Sequence, residues 1–263
     1  WSSDVCSSDL PFIRAASELR SELDRVVSVF DPELENEQLR SGVIVGHSMG
    51  GLISRLMISY SGERVWDSVS RVPLEQIATD ESTRMRLAER FYFDPHPIIS
   101  RAVFIATPHR GSSTAGRAMG RFASALVVQS DGSFDKLSRD NPGAIRESLS
   151  DGLPTSIDML DPNQPFLNVL NQLQLSPSVP RHSIIGVGGP LGFGGQLFSQ
   201  SQTDGLVPLE SARMEGVASE KLLRTNHNGI LKDSKTATEL ARILKEHLEI
   251  VDRFGRTCEH DSK

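Results

Sequence analysis

The stretch Val43-Ile-Val-Gly-His-Ser-Met-Gly-Gly51 joins two kinds of apolar pattern. A short β-branched run precedes Gly46, and apolar residues at helical spacing follow from Leu52 to Met57. This change of period predicts a buried strand that runs directly into a helix. Gly-x-Ser-x-Gly at such a junction predicts a turn so sharp that Ser48 takes a strained backbone angle and its hydroxyl projects from the sheet. An ordinary tight turn in an α/β protein is the alternative at this point.

The composition is that of a globular chain and excludes several classes of function. The 263 residues carry a net charge of −6, which argues against a nucleic-acid partner. No apolar run approaches the roughly 18 residues that a membrane span needs. Cys6 and Cys258 lie near opposite ends and form no metal or redox motif. No cluster of residues has metal-ligand spacing, and we expect neither a metal site nor a cofactor.

Residues 1–10 do not fit the rest of the sequence. Ser2-Ser-Asp-Val5 and Ser7-Ser-Asp-Leu10 nearly repeat each other without helical or strand periodicity, as in a translated sequencing adapter. We interpret this segment as non-native and leave it out of the fold. A disordered native terminus is the alternative. The localisation stays open, with cytoplasmic and exported forms both compatible.

The remaining chain alternates between predicted helices and strands. A helix is expected over about residues 11 to 30, strands over 101–106, 182–187 and 221–224, and a closing amphipathic helix from Ala237 to Val251. This order predicts an α/β fold, with a mostly parallel sheet and helices on both faces. We expect one catalytic domain over residues 11–250 and a polar tail over 251–263.

Two long segments interrupt that alternation. Residues 61–98 are charged and end in an aromatic cluster, and residues 111–180 are interrupted by prolines. Insertions of this size beside a candidate site predict caps or lids.

A serine nucleophile needs a base and a third group that orients the base. In this topology the acid and the histidine follow Ser48 on loops after later strands. Asp204 follows the third predicted strand and His227 follows the fourth, so these residues complete a predicted triad. Asp158 and Asp161 are rival acids in the predicted lid, where we expect them to cap helices or to meet solvent.

The other histidines are weaker candidates for the base. His47 adjoins the nucleophile but is expected to point away from it and to pack. His109, in the loop after the second strand, is the main competitor, and its alternative role is a hydrogen bond that holds this loop. His96, His182, His247 and His260 lie in no supporting context.

The blocks Gly46-His-Ser-Met-Gly-Gly51, Thr107-Pro-His-Arg-Gly-Ser112 and Asp204-Gly-Leu-Val-Pro-Leu209, with the loop around His227, resemble the α/β-hydrolase superfamily. The resemblance covers about residues 11–248 and is nearest to bacterial serine esterases of the lipase-like branch. It implies Ser48 as nucleophile, His227 as general base and acid, and Asp204 as the orienting carboxylate.

The resemblance also implies lid segments over an acyl pocket, at 156–160 and 165–167. The tentative pocket residues are His47, His109, Met159, Leu160, Phe166 and Leu167. The apolar residues between 159 and 173 indicate either an apolar acyl group or a helix buried on the body of the protein.

The sequence departs from this superfamily before Ser48. Family members carry several strands there and a loop that donates one oxyanion-hole N–H, whereas residues 11–47 hold one predicted helix and no earlier strand. The backbone N–H of Met49 is the other donor. We expect the missing upstream strands to leave an exposed apolar edge, poor folding and weak activity in this fragment.

The predicted reaction is hydrolysis of a small-molecule carboxylic ester. An acyltransferase or thioesterase could use the same triad, and a binding module that has lost its chemistry is a further alternative.

Overall fold

A computed structural model describes residues 11–113, 133–146, 160–188 and 202–260. The predicted non-native segment 1–10, Met159 and most of the predicted lid segment 156–160 lie outside these ranges. The helices are α1 (Pro11–Phe30), α2 (Met49–Leu56), α3 (Arg64–Asp67), α4 (Glu81–Phe91), α5 (Ser133–Asp140), α6 (Pro165–Gln172), α7 (Leu209–Ala212) and α8 (Ser234–His260). The strands are β1 (Gly42–His47), β2 (Ser59–Tyr60), β3 (Ile99–Ile105), β4 (Gln174–Leu175), β5 (Arg181–Gly186) and β6 (Ser219–Leu223).

Four strands form a parallel sheet in the order β1-β3-β5-β6. Val45 pairs with Val103, and Phe104 pairs with Ser183. Because the strands are parallel, the loops that follow β1, β5 and β6 leave the sheet at the same edge. A separate antiparallel pair joins β2 to β4.

The alternation of side chains along β3 explains why helices cover both faces of this sheet. Ala102 and Phe104 belong to the larger hydrophobic core, which α1 and α2 share. Val103 and Ile105 face the other way and pack in a second core with Ile243 of α8. Successive residues of a strand point to opposite faces, so the sheet lies between two helical layers. This arrangement confirms the predicted α/β class, with a parallel sheet and helices on both faces.

Helix α1 matches the range predicted from its apolar spacing. Phe12 and Ile13 are buried in the larger core. The guanidinium of Arg20 lies 4.0 Å from the centre of the Phe93 ring, a cation–π contact that ties α1 to the segment before β3. After the helix, the Asp31 carboxylate accepts hydrogen bonds from the next turn of backbone and fixes the change of direction.

The described segment between β2 and β3 packs into the body of the protein. Trp66 of α3 is fully buried and meets Phe91 of α4 edge-on, with ring centres 5.4 Å apart. Both rings belong to the larger core. The role of residues 61–98 as a cap stays a prediction.

The observed elements differ from the predicted ones mainly at their ends. Helix α8 continues to His260, through most of the segment predicted as a polar tail. Apolar periodicity marks only the packed part of a helix, and the charged residues beyond Val251 are compatible with further turns. Within the described ranges, no helix has the length and apolar character to cross a membrane.

Candidate active site

Ser48 occupies the turn between β1 and α2 in a strained conformation. Its backbone angles are φ 52° and ψ −126°, and it is one of three described non-glycine residues with positive φ. The Ser48 N–H donates to the carbonyl of Ile105 at 2.8 Å, which ties the turn to the end of β3. A helix begins at the next residue, Met49. The geometry is therefore that of the sharp strand-to-helix elbow predicted from the sequence.

Two of the glycines around Ser48 are required by close packing. A Cβ atom at Gly46 would lie 2.5 Å from Ser54 Oγ, and one at Gly51 would lie 1.9 Å from Thr107 Oγ1. A Cβ at Gly50, in contrast, would meet no atom within 4 Å. The glycine that lets α2 approach the loop after β3 is thus Gly51 rather than the second glycine of the Gly-x-Ser-x-Gly motif.

The structure brings the three predicted triad residues into one hydrogen-bonded chain. His227 Nε2 lies 2.9 Å from Ser48 Oγ, and His227 Nδ1 lies 2.7 Å from Asp204 Oδ2. All three residues are buried, with 7%, 2% and 5% of the surface of Ser48, Asp204 and His227 exposed. The carboxylate fixes the tautomer, because Nδ1–H donates to it and Nε2 is left to accept from the serine hydroxyl.

Asp204 is itself held by the backbone of its own loop. Its Oδ1 accepts hydrogen bonds from the N–H groups of Leu206 at 2.9 Å and Val207 at 2.7 Å. The His227 N–H donates to the Asp204 carbonyl at 2.9 Å, so backbone and side chain both join the two loops. One carboxylate oxygen is therefore anchored while the other faces the imidazole.

His47 packs beside the imidazole of His227. The two ring centres are 5.0 Å apart, and His47 Nε2 lies 3.3 Å from the His227 carbonyl oxygen. Burial, followed by the neighbouring His227, lowers the pKa of His47. Its neutral ring can donate to that carbonyl, so His47 supports the loop that carries His227.

His109 lies away from the hydrogen-bonded chain. Its buried ring meets Phe104 edge-on at 5.0 Å between ring centres, and its carbonyl accepts from Asn171 Nδ2 at 2.9 Å. Burial, then the charges of Arg55 and Arg110, hold the pKa of His109 well below its ordinary value. The sequence-based competitor for the base thus makes no described contact with Ser48.

The other residues of the tentative pocket lie in the larger core. Leu160, Phe166 and Leu167 are buried there, the last two on α6. Of the two interpretations left open by the sequence, this placement favours a helix buried on the body of the protein. The rival acid Asp161 is exposed and accepts a hydrogen bond from the Asn163 N–H, whereas Asp158 lies outside the described residues.

Sequence reasoning missed a second polar cluster, at the opposite end of the sheet. The buried Arg101 guanidinium contacts His182 Nε2 at 2.6 Å, His247 Nδ1 at 3.3 Å and Glu246 Oε1 at 3.2 Å. These residues are far apart in sequence. The pairing of β3 with β5 brings Arg101 to His182, and the packing of α8 adds His247 and Glu246. No group of three histidine, cysteine or acidic side chains suited to a metal ion occurs among the described residues.

No protein-family model matches the sequence, and no curated protein is similar to it in sequence. Solved structures show a distant similarity in backbone. Bacillus licheniformis lipase BlEst2 in its mature form is 15% identical with a TM-score of 0.43, over 89% of this chain and 74% of the lipase. Staphylococcus hyicus lipase is 14% identical with a TM-score of 0.45, over 80% of this chain and 70% of the lipase. Phospholipase PlaB from Legionella pneumophila is 12% identical with a TM-score of 0.35, over 75% of this chain and 34% of the phospholipase.

Proposed function

We propose that this chain is a serine hydrolase that cleaves carboxylic esters. The observation that carries the proposal is the buried chain of hydrogen bonds from Ser48 Oγ through His227 to Asp204. A base within hydrogen-bonding reach of a serine, with a carboxylate behind it, is the arrangement that activates a hydroxyl for attack on a carbonyl.

In the first half of the proposed reaction, Ser48 Oγ attacks the acyl carbon while His227 Nε2 takes the hydroxyl proton. The imidazolium that forms is stabilised by Asp204, whose Oδ1 stays bound to two backbone N–H groups. His227 then gives its proton to the departing alkoxide, which leaves as the alcohol. The acyl group remains on Ser48 as an ester.

In the second half, His227 takes a proton from a water molecule, and the resulting hydroxide attacks the acyl carbon. Collapse of the tetrahedral intermediate returns the proton to Ser48 Oγ and releases the carboxylic acid. As the first residue of α2, Met49 has a backbone N–H without an acceptor inside the helix. We assign this group to the oxyanion in both halves.

We test the proposal with p-nitrophenyl butyrate hydrolysis and with labelling by a fluorophosphonate, which reacts covalently with activated serines. The wild-type chain should turn over the ester and take up one label. Ser48→Ala should lower kcat by on the order of 10⁶ and abolish labelling, because the nucleophile is removed. The matched control is Ser21→Ala, on the exposed face of α1, which should behave as wild type.

Retention of turnover and labelling by Ser48→Ala would contradict the assignment. Product analysis with added alcohols and with acyl thioesters separates a hydrolase from an acyltransferase or a thioesterase. A series of p-nitrophenyl esters with lengthening acyl chains measures the predicted preference for an apolar acyl group.

A further inference from the structure

A cleft of about 590 Å³ lies outside the triad. Its walls come from α2, the loop after β3, α6 and the segment after α7. Its polar lining includes Arg55, His109, Arg110, Asn171 and Arg213. Ser48, Asp204 and His227 do not line it.

The cleft carries an excess of positive charge. Three guanidinium groups line it, those of Arg55, Arg110 and Arg213, against the single carboxylate of Glu215. Arg213 pairs with Glu220 at 3.2 Å. Among the described residues, neither Arg55 nor Arg110 has a carboxylate within ion-pair distance.

Two side chains that line the cleft have nitrogens without a hydrogen-bond partner among the described residues. Arg55 is buried and donates from Nη1 to Asn171 Oδ1 at 2.7 Å, but its Nε finds no acceptor in the described part of the chain. Both ring nitrogens of the buried His109 are also without a hydrogen-bond partner there. Buried polar groups are normally satisfied, so the unpartnered nitrogens of Arg55 and His109 represent hydrogen-bonding capacity beside the cleft that the described side chains do not use.

Arg55 is also held in an electrostatically unfavourable position. Burial, and then the charges of Arg110 and Arg181, lower the pKa of Arg55 to about 10. An anion within reach of these groups would reverse that effect, since opposite charge favours the ionised guanidinium. The observed arrangement is therefore one that an anion would stabilise.

We propose that this cleft binds a phosphate group. Guanidinium groups bind oxyanions through paired N–H donors, and a tetrahedral phosphate can accept from donors that converge from several sides. The volume of the cleft leaves room for a molecule that carries the phosphate. Free phosphate, a soluble phosphate ester and a lipid headgroup share this chemistry. The tentative pocket residues His109 and Leu167 line this cleft, but the triad residues do not, and the phosphate proposal does not rest on ester hydrolysis.

The probe is inorganic phosphate, titrated into the full chain by isothermal calorimetry at low ionic strength. We expect saturable one-site binding. Arg55→Met should weaken it at least tenfold, and Arg213→Gln, on a half-exposed side chain, should weaken it about threefold. The control is Arg25→Gln on α1, an exposed arginine with the same loss of charge, which should leave binding unchanged. Ser48→Ala should also bind phosphate as wild type does, whatever its effect on ester turnover.

Absence of saturable phosphate binding by the folded chain would overturn the proposal, and so would binding that both cleft variants leave unchanged. If circular dichroism shows that Arg55→Met does not fold, the phosphate affinities of Arg213→Gln and Arg25→Gln are compared instead. Weaker binding by Arg213→Gln alone supports the proposal, and equal affinities overturn it. Vesicles of phosphatidylglycerol, with phosphatidylcholine as reference, then identify the source. Vesicle binding lost in Arg213→Gln supports a lipid headgroup, whereas phosphate binding without vesicle binding supports a soluble phosphate.

Discussion

At the scale of single residues, Asp204 allows the most specific test of the hydrogen-bonded chain. Asp204→Asn keeps a carbonyl oxygen for the Leu206 and Val207 N–H groups but replaces the acceptor of His227 Nδ1–H by an amide. The imidazole then loses the partner that fixes its tautomer and stabilises its charged form. We expect kcat for p-nitrophenyl butyrate to fall by about 10⁴-fold with little change in the thermal unfolding midpoint.

A suitable control is Asp161→Asn, because that carboxylate is exposed and only caps a local turn. Equal turnover by wild type and Asp204→Asn would show that His227 does not need this carboxylate.

The positions of the triad residues could be read from the sequence, because each follows a predicted strand in an order that the topology requires. The contacts that hold these residues in place could not be predicted in the same way. The contact of His47 with the His227 carbonyl, for example, depends on where two loops meet after folding. The cleft around Arg55 was missed for the same reason, since its walls come from segments far apart in the chain.

At the scale of elements, the approach of α2 to the loop after β3 depends on Gly51. A methyl group there would collide with the side chain of Thr107, at 1.9 Å from Oγ1 and 2.7 Å from Cβ. Gly51→Ala should therefore lower the free energy of unfolding by about 1 to 3 kcal/mol through overpacking.

Gly50→Ala is the matched comparison, one residue away on the same helix. Open space surrounds the position of its Cβ, and alanine favours helix over glycine. We expect it to leave stability unchanged or to raise it by up to about 1 kcal/mol. Chemical denaturation of both variants measures the difference, and equal effects would mean that α2 does not pack as closely as described.

Periodicity predicted the long helices and the apolar centres of the four parallel strands. It missed β2 and β4, since two residues carry no detectable period. It left open whether the apolar residues of α6 face an acyl group or the body of the protein, because the same apolar spacing suits both. Only the tertiary contacts distinguish these cases.

At the scale of the whole molecule, the Arg101 cluster joins helix α8 and the segment before β1 to the sheet. It connects β3 and β5 to α8, and His247 reaches the carbonyl of Ser41 before β1 at 2.7 Å. Burial, and then the charge of Arg101, lower the pKa of His182 to about 4. The folded state therefore favours the neutral form of His182. The charges of Glu246, Arg242 and Glu239 also act on this ring.

This shift predicts loss of stability in acid. The unfolded chain binds a proton at His182 below about pH 6.5, while the folded chain resists it down to about pH 4. The contribution of neutral His182 to the free energy of unfolding is complete above about pH 6.5 and declines as the pH falls towards about 4. Unfolding free energies from pH 8 to 5 should decrease more steeply for wild type than for His182→Gln. Parallel profiles would contradict a role for His182 in the acid response.

Because Ser48 has a positive φ, conformational stability and catalysis favour different residues at this position. Glycine adopts that backbone region without strain, so Ser48→Gly should fold at least as well as the native residue. Selection for stability alone would favour glycine at position 48. Only selection for turnover would retain serine there. A serine in this turn would then indicate past selection for turnover, and a glycine would indicate selection for stability alone.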